Sequence, residues 1–340
     1  MDRVTRYILG NFAPLFLSLF FTLFFLVSVI FFITIARLTA LISVSFWDLG
    51  EIFLYSVPEM FGYTMPVTFF IAVAMTMFQM SRENEVIVLF ALSLNPKKIA
   101  KPFSVIAALL SLFLLFNALV LVPLSRQMSK NFIEMKKMEA KLNLKESEFG
   151  QKFSDWHVFV RSSDRRNFHD IVLYQKGKEG ESDKLILAKS ANLDRNASLM
   201  TLTLKEGNVY IPGSDKLTQA SYARLIMNYN PKLHELHSSD IYDYWMEAKS
   251  DPKRAQQLSF TVLVSLFPLL GFLFALSFGI AHMRYQKPNI YLNSMIVILL
   301  FYIAIYQVSH KAPLYGSMGV VILFGTLSWI WFKKRVMERF

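Results

Sequence analysis

Residues 6–37 read RYILGNFAPLFLSLFFTLFFLVSVIFFITIAR, with 30 residues between Arg6 and Arg37 and no charge among them. The hydrocarbon core of a bilayer is about 30 Å thick, and about 20 apolar residues in a helix cross it. This run crosses with length left over, which tilt or extra turns absorb. It predicts a spanning helix over roughly 11–36. A cleaved signal peptide is the rival reading, because Arg3 and Arg6 precede the run. Such a peptide has an apolar stretch of only about 7–15 residues and a small-residue cleavage site. Neither fits, so the run is expected to stay in place as an anchor.

Five further apolar runs follow, at roughly 52–80, 102–124, 258–281, 289–309 and 312–332. Six spans split three and three are therefore expected around one long insert. Pro268 and Gly271 are expected to kink the fourth span. Composition agrees: of 340 residues 54% are hydrophobic and 32 are Phe, with mean hydropathy +0.37. A soluble domain is about 45–50% apolar. There is no cysteine, which excludes disulfides, thiolate metal sites and cysteine nucleophiles.

The net charge is +11. Its distribution separates nucleic acid, anionic lipid and topology as explanations. Arg3, Arg6, Arg82, Lys97, Lys98 and Lys101 flank the spans on one side. Arg284, Lys287, Lys333, Lys334, Arg335 and Arg339 join them there. The short loops opposite hold only Arg37 and Lys311. Basic residues in short loops mark the cytoplasmic side, so both termini are expected there and the insert outside, in the periplasm of a two-membrane cell. The charge is then largely topological, and no nucleic-acid partner is expected.

The insert, 126–254, carries 22 Lys/Arg and 18 Asp/Glu and is soluble in character. It opens with a helical stretch from Ser125 to about Glu148. Met128, Phe132, Met135, Met138 and Leu142 recur at spacings of three and four, an amphipathic stripe that continues the third span. Short alternating runs follow at 157–161, 168–175, 184–189, 199–205, 208–211 and 221–229, separated by turn signals such as Gly207-Asn208. Strands at this spacing predict an antiparallel, jelly-roll-like all-β domain with edges open to partners. The expected division is 1–125 for spans one to three, 126–254 for the β domain and 255–340 for spans four to six.

No phosphate-binding G-x-x-x-x-G-K-[ST] loop occurs, nor H-E-x-x-H, paired cysteines or a calcium loop. His157, His169, His234, His237, His282 and His310 make no ligand pattern, and His234 with His237 reads as surface. An enzyme is not expected, and no cofactor is expected in this chain. The loop after the second span, near 81–94, holds Ser81 as a candidate N-cap, acidic Glu83 and Glu85 where a helix start is positive, and Asn95-Pro96 as the start of the next helix. It reads as a helix of about three turns whose acidic start, with Arg82, meets a protein. Ordinary capping is the plainer alternative. Glu59 in the second span is costly in lipid, about 2.5–3.5 kcal/mol at a helix centre; it is expected to face a wet cavity, to be neutral or to find a partner, with Arg37 the candidate, and reaching headgroup water is the plainer alternative. Arg37, His310 and Lys311 are the positive groups of the outer face, placed to meet lipid phosphates or to snorkel.

Three stretches carry a resemblance. Arg6-Tyr7-Ile8 opens the chain; Val57-Pro58-Glu59-Met60 precedes Met65-Pro66; Glu85-Val86-Ile87-Val88-Leu89-Phe90-Ala91 fills the loop. With Val158-Phe159-Val160 and Phe168 to Leu173, they resemble the YjgP/YjgQ permeases. These are the membrane subunits F and G of the lipopolysaccharide-transport (Lpt) ABC transporter, and the chain is more like the F-type. Asn84 stands where that family has Ser, and Ser93 where it often has Gly. The stretch Lys253 to Leu258 lacks an acidic residue expected there.

The resemblance implies an inner-membrane permease that pairs with a second permease of the family above a cytoplasmic ABC ATPase dimer, which binds the ATP and Mg. It implies a coupling helix with Glu85 in contact with that ATPase, and export of lipopolysaccharide to membrane-anchored and periplasmic jelly-roll bridge proteins. It places a substrate cavity near Arg37, Glu59, His310 and Lys311. Two other classes stand beside it. An envelope scaffold would leave Glu85 without a task, and an ion-coupled carrier would want ionisable groups near the midplane.

Overall fold

The computed structural model describes residues 3–37, 45–91, 95–141, 151–153, 156–164, 167–176, 183–196, 199–212, 217–229, 238–280 and 289–338. Among them, six helices are long and apolar enough to cross a membrane. They are α1 (Arg3–Ala36), α2 (Phe46–Arg82), α4 (Pro96–Phe116) running on into α5 (Val122–Lys141), α7 (Pro252–Gly279), α8 (Ile290–Lys311) and α9 (Pro313–Phe332). A short α3 (Glu85–Ala91) joins α2 to α4, and α6 (Ser238–Met246) precedes α7. The expected three-plus-three arrangement is present, with helices longer than the apolar runs alone. Polar turns such as Phe46–Glu51 and Arg126–Lys141 prolong them, because a helix satisfies its own backbone and need not stop where lipid stops.

The chain divides into two compact units. One comprises 1–36, 49–128 and 236–340, the other 37–48 and 129–235. In the first, α7 is the central element: 83% of its most apolar stretch is buried, against 6% for α1. Phe70 of α2 stacks on Phe267 of α7 at 5.4 Å, and Phe267 meets Phe301 of α8 at 4.5 Å. At the end of α7, α2 approaches so closely that a Cβ on Gly279 would lie 2.4 Å from the Cβ of Met77. The Ser81 hydroxyl donates to the Gly279 carbonyl at 2.9 Å and ties the two helix ends together. Ser81 is therefore the last buried turn of α2 and not the expected N-cap. The loop helix begins instead after Asn84, whose φ of 62° makes the corner.

Between α4 and α5 lies a π-turn, Asn117–Leu121. Its cause is legible: the α-helical donor for the Leu119 carbonyl is the amide of residue 123, and Pro123 has none. The Trp245 indole N–H supplies the missing bond at 2.8 Å. The Asn117 side-chain amide donates to the Pro58 carbonyl at 2.8 Å and holds this turn against α2.

The second unit holds a six-stranded antiparallel sheet in the order β1-β2-β3-β4-β5-β6. The strands are β1 (Gln151–Phe153), β2 (Trp156–Asp164), β3 (Asn167–Gln175), β4 (Lys184–Asn196), β5 (Leu199–Pro212) and β6 (Leu217–Tyr229). The all-β insert is thus a meander in which each strand pairs with its neighbours in sequence. Gly207-Asn208, read as a turn, lies inside β5, so the runs 199–205 and 208–211 are one strand.

The reason is a crease. Asp170 and Glu206 have φ of 50° and 49° inside their strands, and register places them in one row with Arg161 and Lys189. Alternation breaks at that row. Ile171 and Leu173, Ile186 and Ala188 are buried on one side of it. Phe168, Ala191 and Leu204 are buried on the other, two exposed positions intervening in β3. One face stays apolar throughout while the sheet bends. The opposite face carries Arg161 with Asp170 at 3.4 Å and Lys189 with Glu206 at 2.9 Å. Gly207 is required beside the crease: a Cβ there would sit 1.9 Å from the Leu187 carbonyl oxygen and 2.5 Å from the Tyr222 hydroxyl.

Candidate functional site

The α2–α3 corner gathers the acidic residues singled out in the loop. Arg82 and Glu83 are exposed at the end of α2, and Gln79 Nε2 donates to Glu83 Oε1 at 3.4 Å. Val86 is buried, with Leu89 and Phe90 packed on the same core, so α3 is pinned by its apolar face. Glu85 opens the helix half-buried. Its Oε1 accepts from the Tyr7 hydroxyl of α1 at 2.5 Å, while its Oε2 is buried with no hydrogen-bond partner. A buried acceptor without a donor costs about 1–3 kcal/mol, more for a charged group. Glu85 is thus held inward by Tyr7 in an arrangement that an outside cation would improve. Beside it a cleft of about 400 Å³ opens between α1 and α2, lined by Tyr7, Asn11, Ser18, Thr76, Gln79 and Glu83. Downstream, Asn95 caps α4 as expected: its side chain accepts from the Lys97 amide at 2.9 Å with Pro96 at the first position.

The second cluster surrounds Glu59. Its partner is Arg126 and not Arg37: Nη2 reaches Oε1 at 2.8 Å and Nε reaches Oε2 at 3.2 Å, a two-point pair. The Tyr63 hydroxyl donates to the same carboxylate at 3.0 Å. Arg126, which sits just beyond the π-turn on α5, takes the carboxylate. The sequence reading had assigned Arg126 to the soluble insert. Near the same end of the unit, Arg254 lies over the Tyr244 ring at 3.7 Å and Tyr244 donates to Gln257 at 3.2 Å. Tyr7 entered the sequence reading only as part of Arg6-Tyr7-Ile8, with no partner assigned, and Arg126 and Trp245 were not singled out. Only Pro123, which demands a substitute donor, gave any signal for Trp245.

The remaining candidates lie at helix ends. Arg37 is exposed at the end of α1, and Lys311 is exposed in the last turn of α8. His310 packs its ring edge-on against Tyr306 at 5.0 Å. Among the described residues, no group of three His, Asp or Glu is placed to hold a metal ion. His234 and His237 lie outside the described residues.

The sequence pattern of the family described as lipopolysaccharide export system permease LptF/LptG matches residues 6–334. The chain belongs to the LptF/LptG family. It is therefore an inner-membrane, multi-pass permease subunit of lipopolysaccharide export, with a β domain inserted in the sequence between its third and fourth spans. Membership in a permease family fits a subunit without catalysis of its own. The match spans both F and G types and does not divide them. A comparison with individual curated proteins found no match.

Proposed function

We propose that this chain is the transmembrane subunit of an ATP-driven ABC transporter that lifts lipopolysaccharide out of the inner membrane. Both termini face the cytoplasm and the β domain faces the periplasm, as the twelve basic residues against two at the span ends support. A dimeric ATPase, carrying the ATP and Mg, docks against α3 through Glu85, with Glu83 and Arg82 alongside. A second permease of the family pairs with this one. Lipopolysaccharide enters sideways between α1 of one permease and α8 of the other. The weak burial of α1 within its own chain supports a neighbour there. Arg37, Lys311 and His310 meet the lipid's phosphates, and the β domain passes the lipid to jelly-roll bridge proteins by edge pairing.

The observation that carries the reading is the α2–α3 corner. Ser81 locks α2 to α7, Tyr7 locks α1 to Glu85, and the seven residues of α3 lie where both locks meet. A push on α3 therefore reaches three spans at once. The test is the ATPase rate of the reconstituted complex with Glu85→Ala. The expected result is a drop in lipid-coupled hydrolysis of about tenfold or more, the loss of a charge-assisted contact worth about 1.5–3 kcal/mol, with the permease still folded. Coupling at the wild-type rate contradicts the reading.

A further inference from the structure

We propose that a wedge between α8 and α9 is a binding site for one anionic glycerophospholipid of the membrane. The two helices touch at their joined end, where a Cβ on Gly316 would meet Val308 Cγ1 at 2.6 Å. They diverge toward the other end, and a cavity of about 300 Å³ opens between them. One wall is the α8 stripe Asn293, Ile296, Val297 and Leu300, at the spacing of a single helix face. The other is Phe324, Leu327, Trp331 and Arg335 along α9 and the π-turn Lys333–Met337 that follows it.

The floor is aromatic. Phe274 and Phe278 of α7 are buried, and Trp331 closes on both at 6.4 and 6.5 Å. Phe301 against Phe324, edge-on at 4.8 Å, stops the blind end. The wedge is thus apolar along its length, with its polar groups, Asn293 and Arg335, at the open mouth. From Leu327 to Arg335 is eight residues, about 12 Å of helix. That is the depth of part of an acyl chain and far too little for the many-chained body of lipopolysaccharide.

The mouth fits a phosphate. Arg335 offers a planar fork suited to phosphate oxygens, Asn293 adds an amide donor, and exposed Lys333 and Lys334 add positive charge. Trp331 sits one turn inside, where indole rings mark the headgroup boundary. A π-turn widens a helix and recurs at functional sites, and here one falls at the mouth. Leu300 and Leu327 are exposed on the chain's outer surface, so a lipid slides in from the bilayer without any helix parting.

The full chain is purified in mild detergent and its retained lipids are identified by mass spectrometry. Delipidated protein is then heated in detergent mixed with phosphatidylglycerol or with phosphatidylcholine. The expected result is retention of a phosphatidylglycerol-class lipid, and a melting rise with phosphatidylglycerol several times that with phosphatidylcholine. Arg335→Gln is expected to cut retention several-fold and Arg335→Lys to spare most of it. Leu300→Trp, which fills the wedge from an exposed position, is expected to abolish retention while the protein stays folded. Equal effects of the two lipids, or wild-type retention in either Arg335→Gln or Leu300→Trp, overturn the proposal. A photo-crosslinker at Leu327 that captures a protein helix instead of a lipid overturns it as well.

Discussion

At the scale of residues, Glu59 and Glu85 of the membrane unit are managed differently. Glu59 is neutralised by two bonds from Arg126 and one from Tyr63, with the carboxylate about a quarter exposed and the guanidinium less than half. Partial exposure screens the pair, but removing Arg126 leaves Glu59 charged in a poor solvent. Arg126→Ala is expected to cost about 1–3 kcal/mol, read as a lowered unfolding midpoint in detergent, while Arg37→Ala leaves the midpoint unchanged. The reverse order of effects removes this pairing. Glu85, by contrast, keeps one oxygen unsatisfied, which suits a group awaiting a partner.

In the β domain the half-buried Tyr222 hydroxyl sets an alkaline limit. Burial pushes the Tyr222 phenol up to about 12, and the hydroxyl donates to the Leu187 carbonyl at 2.9 Å. A pKa raised in the folded state means the unfolded chain ionises first. This stabilisation is whole below about pH 10 and fades as pH rises toward 12. Tyr222→Phe is expected to flatten the fall of β-domain stability over that window, followed by circular dichroism; an unchanged fall contradicts it. At the acid end, Lys189 holds the Glu206 carboxyl below its usual range, a contribution present at neutral pH and lost as pH falls. The pair is exposed, so its effect is small.

At the scale of elements, what was legible and what was not follows from the range of the signal. The six spans were legible because charge-free runs of 20 or more residues have few other readings. The Asn95-Pro96 start of α4 was legible because capping is local. Ser81 misled because Ser before two acidic residues satisfies the capping pattern, whereas its hydroxyl is committed to Gly279, 198 positions away. β5 was split because Gly207 signals a turn. The physical demand for glycine there comes from Leu187 and Tyr222 on the two neighbouring strands, which no local window contains. The crease is visible in retrospect as paired polar positions, such as His169-Asp170 and Lys205-Glu206, that interrupt alternation.

The π-turn between α4 and α5 gives the sharpest test at this scale. Trp245→Phe leaves the Leu119 carbonyl without its donor and is expected to destabilise by about 1–3 kcal/mol. Pro123→Ala restores a backbone amide, so the double variant is expected to lose clearly less than Trp245→Phe alone. Strict additivity in thermal unfolding contradicts the proline origin of the turn.

At the scale of the whole molecule, the pattern is a bundle built on α2 and α7, with α1 lightly attached. The link from α1 to α3 is the Tyr7–Glu85 bond. The candidate site near Glu85 was readable from the acidic loop. Its connection to α1 was not, because 78 residues separate the partners. The outer-face candidates were chosen by charge alone, and charge does not say which residues converge: the Glu59 carboxylate is taken by Arg126 and Tyr63.

The central claim is that this permease works as part of an ATP-driven lipopolysaccharide exporter. Purification of the tagged full chain from its own membranes in mild detergent, with mass spectrometry of proteins and lipids, tests it most directly. The account predicts recovery of an ABC ATPase, a second permease of the same topology, and lipopolysaccharide. Recovery of the chain with envelope proteins but without any ATPase contradicts it.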